Sequence, residues 1–170
     1  VWWQVQSRNK KSLSLDLREP EIQALVRRLA SECDVVVENF KVGDLARYGL
    51  DYEAVASANP SVVYVSITGY GQTGPRAHEA GYDAALQAET GVMAMTGEPE
   101  GRPLKLGVAW IDVLTGTHAA TAALAGAATG PGGTGLHEDA REVHRVVVSA
   151  DQRRRVDDDL LDPGRQDVVG

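Results

Sequence analysis

The sequence has one cysteine, few aromatic residues and no long apolar run, and each of these shortages excludes a structural feature or a class of protein. A single cysteine, Cys33, excludes a disulfide within the chain. It continues an apolar helical pattern, so we expect a buried structural thiol. No apolar run approaches the ~20 residues of a membrane span, and no stretch resembles a secretory signal. We therefore expect a soluble protein of the reducing cytoplasm with no membrane partner.

Basic residues are also in short supply. Lys and Arg number 17 against 24 Asp and Glu, which gives a formal net charge of −7. Because nucleic-acid phosphates are bound by basic surfaces, the acidic balance argues against a nucleic-acid partner. Aromatics make up 5% of the residues, so the core is expected to consist of Val, Leu, Ile and Ala. The four histidines lack the spacing of metal ligands, and no metal site is predicted.

Strand and helix patterns alternate along the first half of the chain. They are the polar–apolar run 12–17, a helix opened by Pro20, the β-branched run 35–37, short helices over 42–48 and 52–58, and a strand over 62–67. Gly49 is the expected C-cap of the first short helix. This order is typical of a parallel α/β sheet, whose ligands collect beyond the carboxyl ends of the strands. That rule points to residues 38–40 and 68–71.

The second half has the pattern of a loop, a helix, a turn and a longer helix. A glycine-bearing loop over 69–79 precedes a helix over 82–89, and a turn over 98–101 precedes a helix that opens at Asp112 and runs to about Ala128. The last helix is rich in Ala, Gly and Thr, so we expect it to pack closely against other backbone.

The pattern stops after Gly130. Residues 131–135 break all periodicity, and the sequence from residue 137 onward contains Arg and Asp but no Lys. We therefore divide the chain into a structured segment over 1–130 and a tail over 131–170. The tail is expected to be disordered, or to be out of frame with the native gene product.

Six short motifs follow one another in order from Asn9 to about Gly130. They are Asn9 to Ser12 (NKKS), Asp34 to Phe40 (DVVVENF), Gly43 to Leu50 (GDLARYGL), Ser66 to Pro75 (SITGYGQTGP), Gly81 to Asp83 (GYD) and Gly107 to Asp112 (GVAWID). Together they resemble class III coenzyme A transferases, the CaiB/BaiF family that includes formyl-CoA transferase. The resemblance implies an α/β fold: a fragment of that family's parallel-sheet, Rossmann-like large domain over 1–130, with an irregular C-terminal tail.

The resemblance also implies a reaction. Members of this family transfer coenzyme A from an acyl-CoA to a free carboxylic acid, and Asp112 falls where their nucleophilic aspartate lies. The implied intermediates are an aspartyl anhydride and an aspartyl-CoA thioester, with no cofactor beyond the CoA thioester substrate. An aspartate at the start of a helix is also a common cap. The resemblance favours the nucleophile, and the two roles can coexist.

The same resemblance assigns five side chains to the CoA site, namely Leu15, Arg18, Asn39, Phe40 and Arg47. Arginines can pair with phosphates, while aromatic and aliphatic side chains can flank adenine. Without the resemblance, a surface ion pair would be the plainer interpretation of either arginine. Tyr82 falls at the acyl site, where it is expected to shape the site or to hydrogen-bond the carboxylate.

Other interpretations stay open beside the transferase. Related acyl-CoA racemases resemble this sequence but carry a histidine at position 82, and a tyrosine with a pKa of about 10 is a poor base at neutral pH. A catalytically inactive, truncated or frameshifted remnant is a second alternative, because members of the family are longer. The family also implies an interlocked homodimer. The loop over 67–75 is similar to that of dicarboxylate-using members, which suggests a dicarboxylate acceptor.

Overall fold

The computed structural model describes residues 4–5 and 7–129. Its helices are α1 (Pro20–Ser31), α2 (Tyr52–Ala58), α3 (Asp83–Glu89), α4 (Val92–Met95) and α5 (Trp110–Thr129), with a 3-10 helix at Leu45–Tyr48 and strands β1 (Val35–Glu38) and β2 (Val63–Ser66). None of the helices in these residues is long and apolar enough to cross a membrane. The prediction for the tail over 131–170 lies outside the described residues.

Helix α1 begins where the sequence predicts it, with Pro20 in the first turn, where its missing N–H has no helical partner. Its buried side chains are Val26 and Ala30, each 1% exposed. The expectation of a buried Cys33 is wrong, because the thiol is exposed. The helix ends at Ser31, so Cys33 lies on the link to β1, beyond the last side chain that the helix buries.

The two strands pair in parallel, as the alternation of strands and helices predicts. Their register runs from Val35 opposite Val63 to Glu38 opposite Ser66. Parallel neighbours need a crossover, and here the crossover consists of the 3-10 helix and α2. One buried cluster joins α1, the sheet and the crossover: Ala30, Val36, Val55, Val62 and Tyr64.

Tyr64 links the sheet to the crossover. Its ring is buried, and its hydroxyl donates a hydrogen bond to the Leu50 carbonyl at 2.6 Å. Burial raises the pKa of the Tyr64 hydroxyl above its ordinary value, so the group stays a donor at neutral pH. Gly49 has a φ of 61°, the left-handed conformation that a helix C-cap requires, which confirms its predicted role.

The strand predicted over 12–17 is not formed. Among the described residues only β1 and β2 pair, and this segment is irregular, with Leu13 55% exposed. Alternating side chains create an apolar face, but a strand also needs a partner for its backbone hydrogen bonds. The segment is anchored through Leu17 instead, which is buried in a second cluster with Val26 and Leu50.

The second half carries the predicted helices at α3 and α5, and the predicted turn at 98–101 closes with a hydrogen bond from Gly101 N to Glu98 O at 2.9 Å. Helix α5 comes close to β2 at Gly126, but it meets a side chain there rather than backbone, since an added Cβ would lie 2.6 Å from Cγ1 of Val63. No described side chain of α5 is buried, and Leu124 is 73% exposed.

Candidate active site

Asp112 lies in the first turn of α5, two residues after the helix begins at Trp110, and it is exposed. Its backbone N–H donates to Oδ1 of Asp83 at 3.3 Å, and the N–H of Ile111 donates to the same oxygen at 2.8 Å. The N–H groups of a first turn have no helical partners and favour a negative charge. Asp83 therefore caps α5, and the Asp112 carboxylate is left to face solvent.

Asp83 is fixed in turn by Gln87, one turn further along α3. Gln87 is completely buried, and its Nε2 donates to Oδ2 of Asp83 at 2.6 Å. The same amide nitrogen donates to the Val108 carbonyl at 3.2 Å, and Oε1 accepts from Leu106 N at 2.9 Å. The segment that leads into α5 is thus tied to α3 by one side chain.

The sequence pointed only faintly to these two residues. Asp83 stands in the motif Gly81-Tyr82-Asp83, but its role as a cap depends on a contact 28 residues away. Gln87 carries no signal beyond lying four residues after Asp83, which places both on one face of a helix.

Tyr82 immediately precedes Asp83 and is the N-cap residue of α3. Its side chain is 75% exposed, so it is not the partly buried aromatic that a purely structural role would give. Because Asp83 contacts the start of α5, Tyr82 and Asp112 belong to the same neighbourhood of the fold.

The residues assigned to CoA lie in the first half of the chain. Leu15 and Phe40 are partly buried and pack against the same apolar cluster of Leu17, Val26 and Leu50. The two side chains that are predicted to flank adenine therefore lie against one cluster, although they are far apart in sequence. Asp112 lies outside this cluster, at the start of α5.

The three polar residues assigned to CoA are exposed. Asn39 follows the end of β1. Arg18 forms an ion pair with Asp16 at 2.7 Å, and Arg47 forms one with Asp44 at 3.0 Å. Both guanidinium groups have large exposed fractions, so each can reach a phosphate from where it lies.

Glu38 closes β1 on the side where ligands of parallel sheets collect. Its carboxylate accepts a hydrogen bond from Phe40 N at 2.7 Å. Burial raises the pKa of Glu38, and this effect outweighs the hydrogen bonds from Ser66 and Phe40, which lower it. The partly buried carboxylate fixes the segment that carries Asn39 and Phe40.

No group of His, Cys, Asp and Glu in the described part of the chain is arranged to hold a metal ion. His118, which lies in α5, has its Nδ1 2.8 Å from the Leu114 carbonyl one turn earlier. This contact within the helix gives the His118 ring a structural partner.

A family model described as CoA-transferase family III matches residues 1–150. The chain belongs to CoA-transferase family III. The predicted family, which is a family of enzymes, and the mixed helix and strand fold with a small parallel sheet are thereby confirmed. The predicted boundary at residue 130, the homodimer and the roles of the individual site residues stay predictions.

Relatives within family III are named for CoA transfer. The chain is 51% identical to succinate–glutarate CoA-transferase of Agrobacterium fabrum over 122 residues, and this match covers 72% of this chain and 30% of that protein. It is 47% identical over 120 residues to succinyl-CoA:glutarate CoA-transferase of Mus musculus, covering 71% of this chain and 28% of that protein.

Two solved structures share the fold. A CaiB/BaiF family protein from Brucella suis superposes with a TM-score of 0.69 at 49% identity, covering 71% of this chain and 32% of that one. A Mycobacterium tuberculosis protein superposes with a TM-score of 0.65 at 34% identity, covering 70% of this chain and 35% of that one. The chain spans about a third of the length of the relatives it matches.

Proposed function

We propose that this chain carries the nucleophile and part of the CoA site of an enzyme that transfers coenzyme A from a dicarboxylic acyl-CoA to a free dicarboxylic acid. The observation that carries the proposal is the position of Asp112. Its carboxylate is exposed in the first turn of α5, while the Asp83 carboxylate binds the backbone N–H groups there. A nucleophile must be ionised, accessible and fixed in place, and this arrangement supplies the last two conditions.

The reaction begins when the Asp112 carboxylate attacks the thioester carbonyl of the donor. The C–S bond breaks, CoA leaves as a thiolate, and a mixed anhydride joins Asp112 to the acyl group. The thiolate then attacks the aspartyl carbonyl, which releases the donor acid and leaves an aspartyl-CoA thioester. The activated acyl bond is kept throughout, so no other energy source or cofactor is needed.

The acceptor acid completes the cycle by the same chemistry in reverse. Its carboxylate attacks the aspartyl thioester and releases CoA thiolate, which gives a second anhydride. The thiolate attacks the acceptor carbonyl of that anhydride, so that a new acyl-CoA leaves and Asp112 is regenerated. Coenzyme A must stay bound between these steps, which is the task we assign to Leu15, Arg18, Asn39, Phe40 and Arg47.

The choice of dicarboxylic acids rests on the relatives. Those from Agrobacterium fabrum and Mus musculus are named for succinate or succinyl-CoA and glutarate, and one from Chloroflexus aurantiacus, 44% identical, is named for succinyl-CoA and D-citramalate. Succinyl-CoA as donor and a short dicarboxylic acid as acceptor are therefore the first substrates to test.

The test compares three variants in an assay of CoA exchange between succinyl-CoA and glutarate. Asp112→Asn removes the nucleophilic charge but keeps the shape, and Asp112→Ala removes both. We expect both to lose activity by about 10⁴-fold or more, as at other covalent nucleophiles. The matched control Glu100→Gln removes one exposed negative charge from the turn at 98–101 and should keep full activity.

Hydroxylamine gives an independent readout on the same protein. It should convert Asp112 to a hydroxamate only when succinyl-CoA is present, because only an activated acyl group reacts. An active Asp112→Asn variant, or a hydroxamate at another residue, would show that the nucleophile is elsewhere. A wild-type chain that exchanges no CoA and forms no hydroxamate would favour the second candidate, a catalytically inactive chain, which the exposed apolar side chains of α5 also favour.

A further inference from the structure

Gln87 is the completely buried polar side chain of the described residues. It forms one hydrogen bond with Asp83 on α3 and two with the segment that leads into α5. Its amide nitrogen faces two acceptors, Asp83 Oδ2 and the Val108 carbonyl, and its amide oxygen faces one donor, Leu106 N. If the amide group of Gln87 were rotated by half a turn, its oxygen would face the Asp83 carboxylate and the Val108 carbonyl, which are both acceptors. The orientation of Gln87 is therefore fixed by its partners.

We infer that Gln87 is a positioning residue for Asp112 and that it acts through Asp83, an inference that rests on the proposed function of Asp112 as the nucleophile. Gln87 prevents the Asp83 carboxylate from rotating about its last bond. Asp83 in turn binds the N–H groups of Ile111 and Asp112, so the backbone that carries the nucleophile is held at a set distance from α3.

The packing of α5 explains why polar contacts are needed for this task. The described side chains of α5 are at most partly buried, so apolar packing contributes little to fixing its first turn. The close contact of Gly126 with Val63 lies near the opposite end of the helix. The first turn is fixed instead by the hydrogen bonds of Asp83, and the segment leading into it by those of Gln87 to Leu106 and Val108.

Substitutions at positions 83 and 87 can separate positioning from a loss of fold. Gln87→Glu keeps the size of the side chain but sets a carboxylate oxygen against Asp83 Oδ2. Asp83→Asn keeps an oxygen for Ile111 N but sets an amide nitrogen against that of Gln87. The double variant Asp83→Asn with Gln87→Glu restores one donor and one acceptor between the two side chains, with their roles exchanged. A rescue by the second substitution is the signature of a direct contact.

The first experiment is solution NMR of the full 170-residue chain without ligand. In the wild type we expect the Ile111 amide proton to resonate downfield, because it donates to the Asp83 carboxylate at 2.8 Å. Each single variant should reduce the downfield displacement and speed hydrogen exchange at Ile111 and Asp112 by about tenfold or more, the effect of losing one hydrogen bond to a charged group. The double variant should recover part of both.

The matched control is Gln23→Glu on α1, whose amide nitrogen donates to the Leu17 carbonyl at 2.9 Å. It makes the same change of side chain at a partly buried glutamine and should leave the Ile111 resonance where it was. If Gln87→Glu moves that resonance no more than Gln23→Glu does, the inference is wrong. Because this measurement does not depend on catalysis, it tests the role of Gln87 even if the proposed function is wrong.

The second experiment measures kcat and KM for CoA exchange between succinyl-CoA and glutarate, together with hydroxamate formation at Asp112. A displacement of a nucleophile by about 1 Å can slow a reaction by ~10²-fold, so we expect a loss of that order in kcat for Gln87→Glu with little change in KM. The double variant should recover part of the rate. Unchanged kcat in a Gln87→Glu variant whose Ile111 resonance has moved would also overturn the inference, because Asp112 would then work without its positioning residue.

Discussion

Gly69 and Gly81 meet backbone to backbone at the base of the loop between β2 and α3. A Cβ built on Gly69 would lie 2.3 Å from Cα of Gly81, and one built on Gly81 would lie 2.2 Å from Cα of Gly69. The contact closes the loop and brings Tyr82 and Asp83 beside the end of β2. Because both partners are backbone atoms, neither can turn aside as a long side chain would.

We expect Gly69→Ala and Gly81→Ala each to lower the free energy of unfolding by about 1–3 kcal/mol or more, since added atoms in a filled space force the backbone apart. Urea unfolding followed by circular dichroism measures the change. Gly116→Ala is the matched control, because nothing lies within 4 Å of its added Cβ. It lies in α5, where alanine should be neutral or stabilising by up to about 1 kcal/mol. Wild-type stability in Gly69→Ala would contradict the contact.

Glu38 gives a prediction about pH. Burial raises the pKa of Glu38 in the folded protein, so the folded state binds the proton more tightly than the unfolded chain does. Stability contributed by this group therefore falls as pH rises through the carboxylate range, and the full penalty is present above the folded pKa. We expect Glu38→Gln, which still offers Phe40 N an acceptor, to gain stability relative to the wild type as pH rises from about 4 to 7.

Unfolding of both proteins at several pH values checks this sign. A stability difference that stays constant or narrows as pH rises would mean that the Glu38 carboxylate is better stabilised in the fold than its burial suggests. The hydrogen bonds from Ser66 and Phe40 would then outweigh desolvation.

Glu89 should show the opposite dependence on pH. It accepts hydrogen bonds from Arg76 at 2.8 Å and from Tyr70 at 3.1 Å, and Arg76 lies 3.8 Å from the centre of the Tyr70 ring. The hydrogen bond from Arg76 lowers the pKa of Glu89, so its stabilising effect is present at neutral pH and is lost as pH falls through the folded pKa.

We expect Glu89→Gln to loosen the loop that carries Tyr70 and Arg76. The variant should speed hydrogen exchange across residues 70–79 at neutral pH, and the difference from the wild type should shrink in acid, where the wild-type carboxylate is protonated too. Exchange rates that match the wild type at neutral pH would show that the loop is held by other contacts, such as the one between Gly69 and Gly81.

Arg47 offers a direct test of the CoA site. Its guanidinium donates to Asp44 Oδ1 at 3.0 Å and lies 5.4 Å from the centre of the Tyr48 ring, so it is oriented but exposed. We expect Arg47→Gln to weaken CoA binding by about tenfold or more, as for the loss of one charged hydrogen bond, and Asp44→Asn to strengthen it by releasing the guanidinium. Isothermal titration calorimetry with CoA measures both.

Arg28 supplies the matched control for that experiment. It also forms an ion pair on a helix, with Glu32 at 3.5 Å, and its side chain is exposed. Arg28→Gln should therefore leave CoA affinity unchanged. Equal losses in the two arginine variants would point to overall charge rather than to a phosphate contact at Arg47.

The sequence predicted correctly those elements that are determined by residues within the element itself. Pro20 sets the first turn of α1, Gly49 adopts the left-handed conformation of a C-cap, and the β-branched runs form the two parallel strands. The errors arose where a local pattern was extended too far. The apolar spacing predicted that the helical pattern of α1 continues to Cys33, whereas the helix ends at Ser31. The alternation in residues 12–17 predicted a strand, but no strand in the described residues pairs with this segment.

The candidate site divides in the same way. Asp112 could be found because it stands in a motif and opens a helix, both of which are visible in a short window. Asp83 and Gln87 could not be assigned their roles, because those depend on contacts with residues 19 to 29 positions away. No periodicity encodes which backbone N–H a distant carboxylate will meet; only the folded chain supplies that information.

The exposed position of Cys33 has a practical consequence for spectroscopy. It is the only cysteine of the chain, so a maleimide dye or a nitroxide will attach at one place without any substitution. Its backbone carbonyl accepts a hydrogen bond from the side chain of Asn59, the C-cap residue of α2, at 2.9 Å, so the backbone that carries the label is held against the end of that helix. Paired with a second label at position 100, it would let the distance between the two halves be followed while CoA binds.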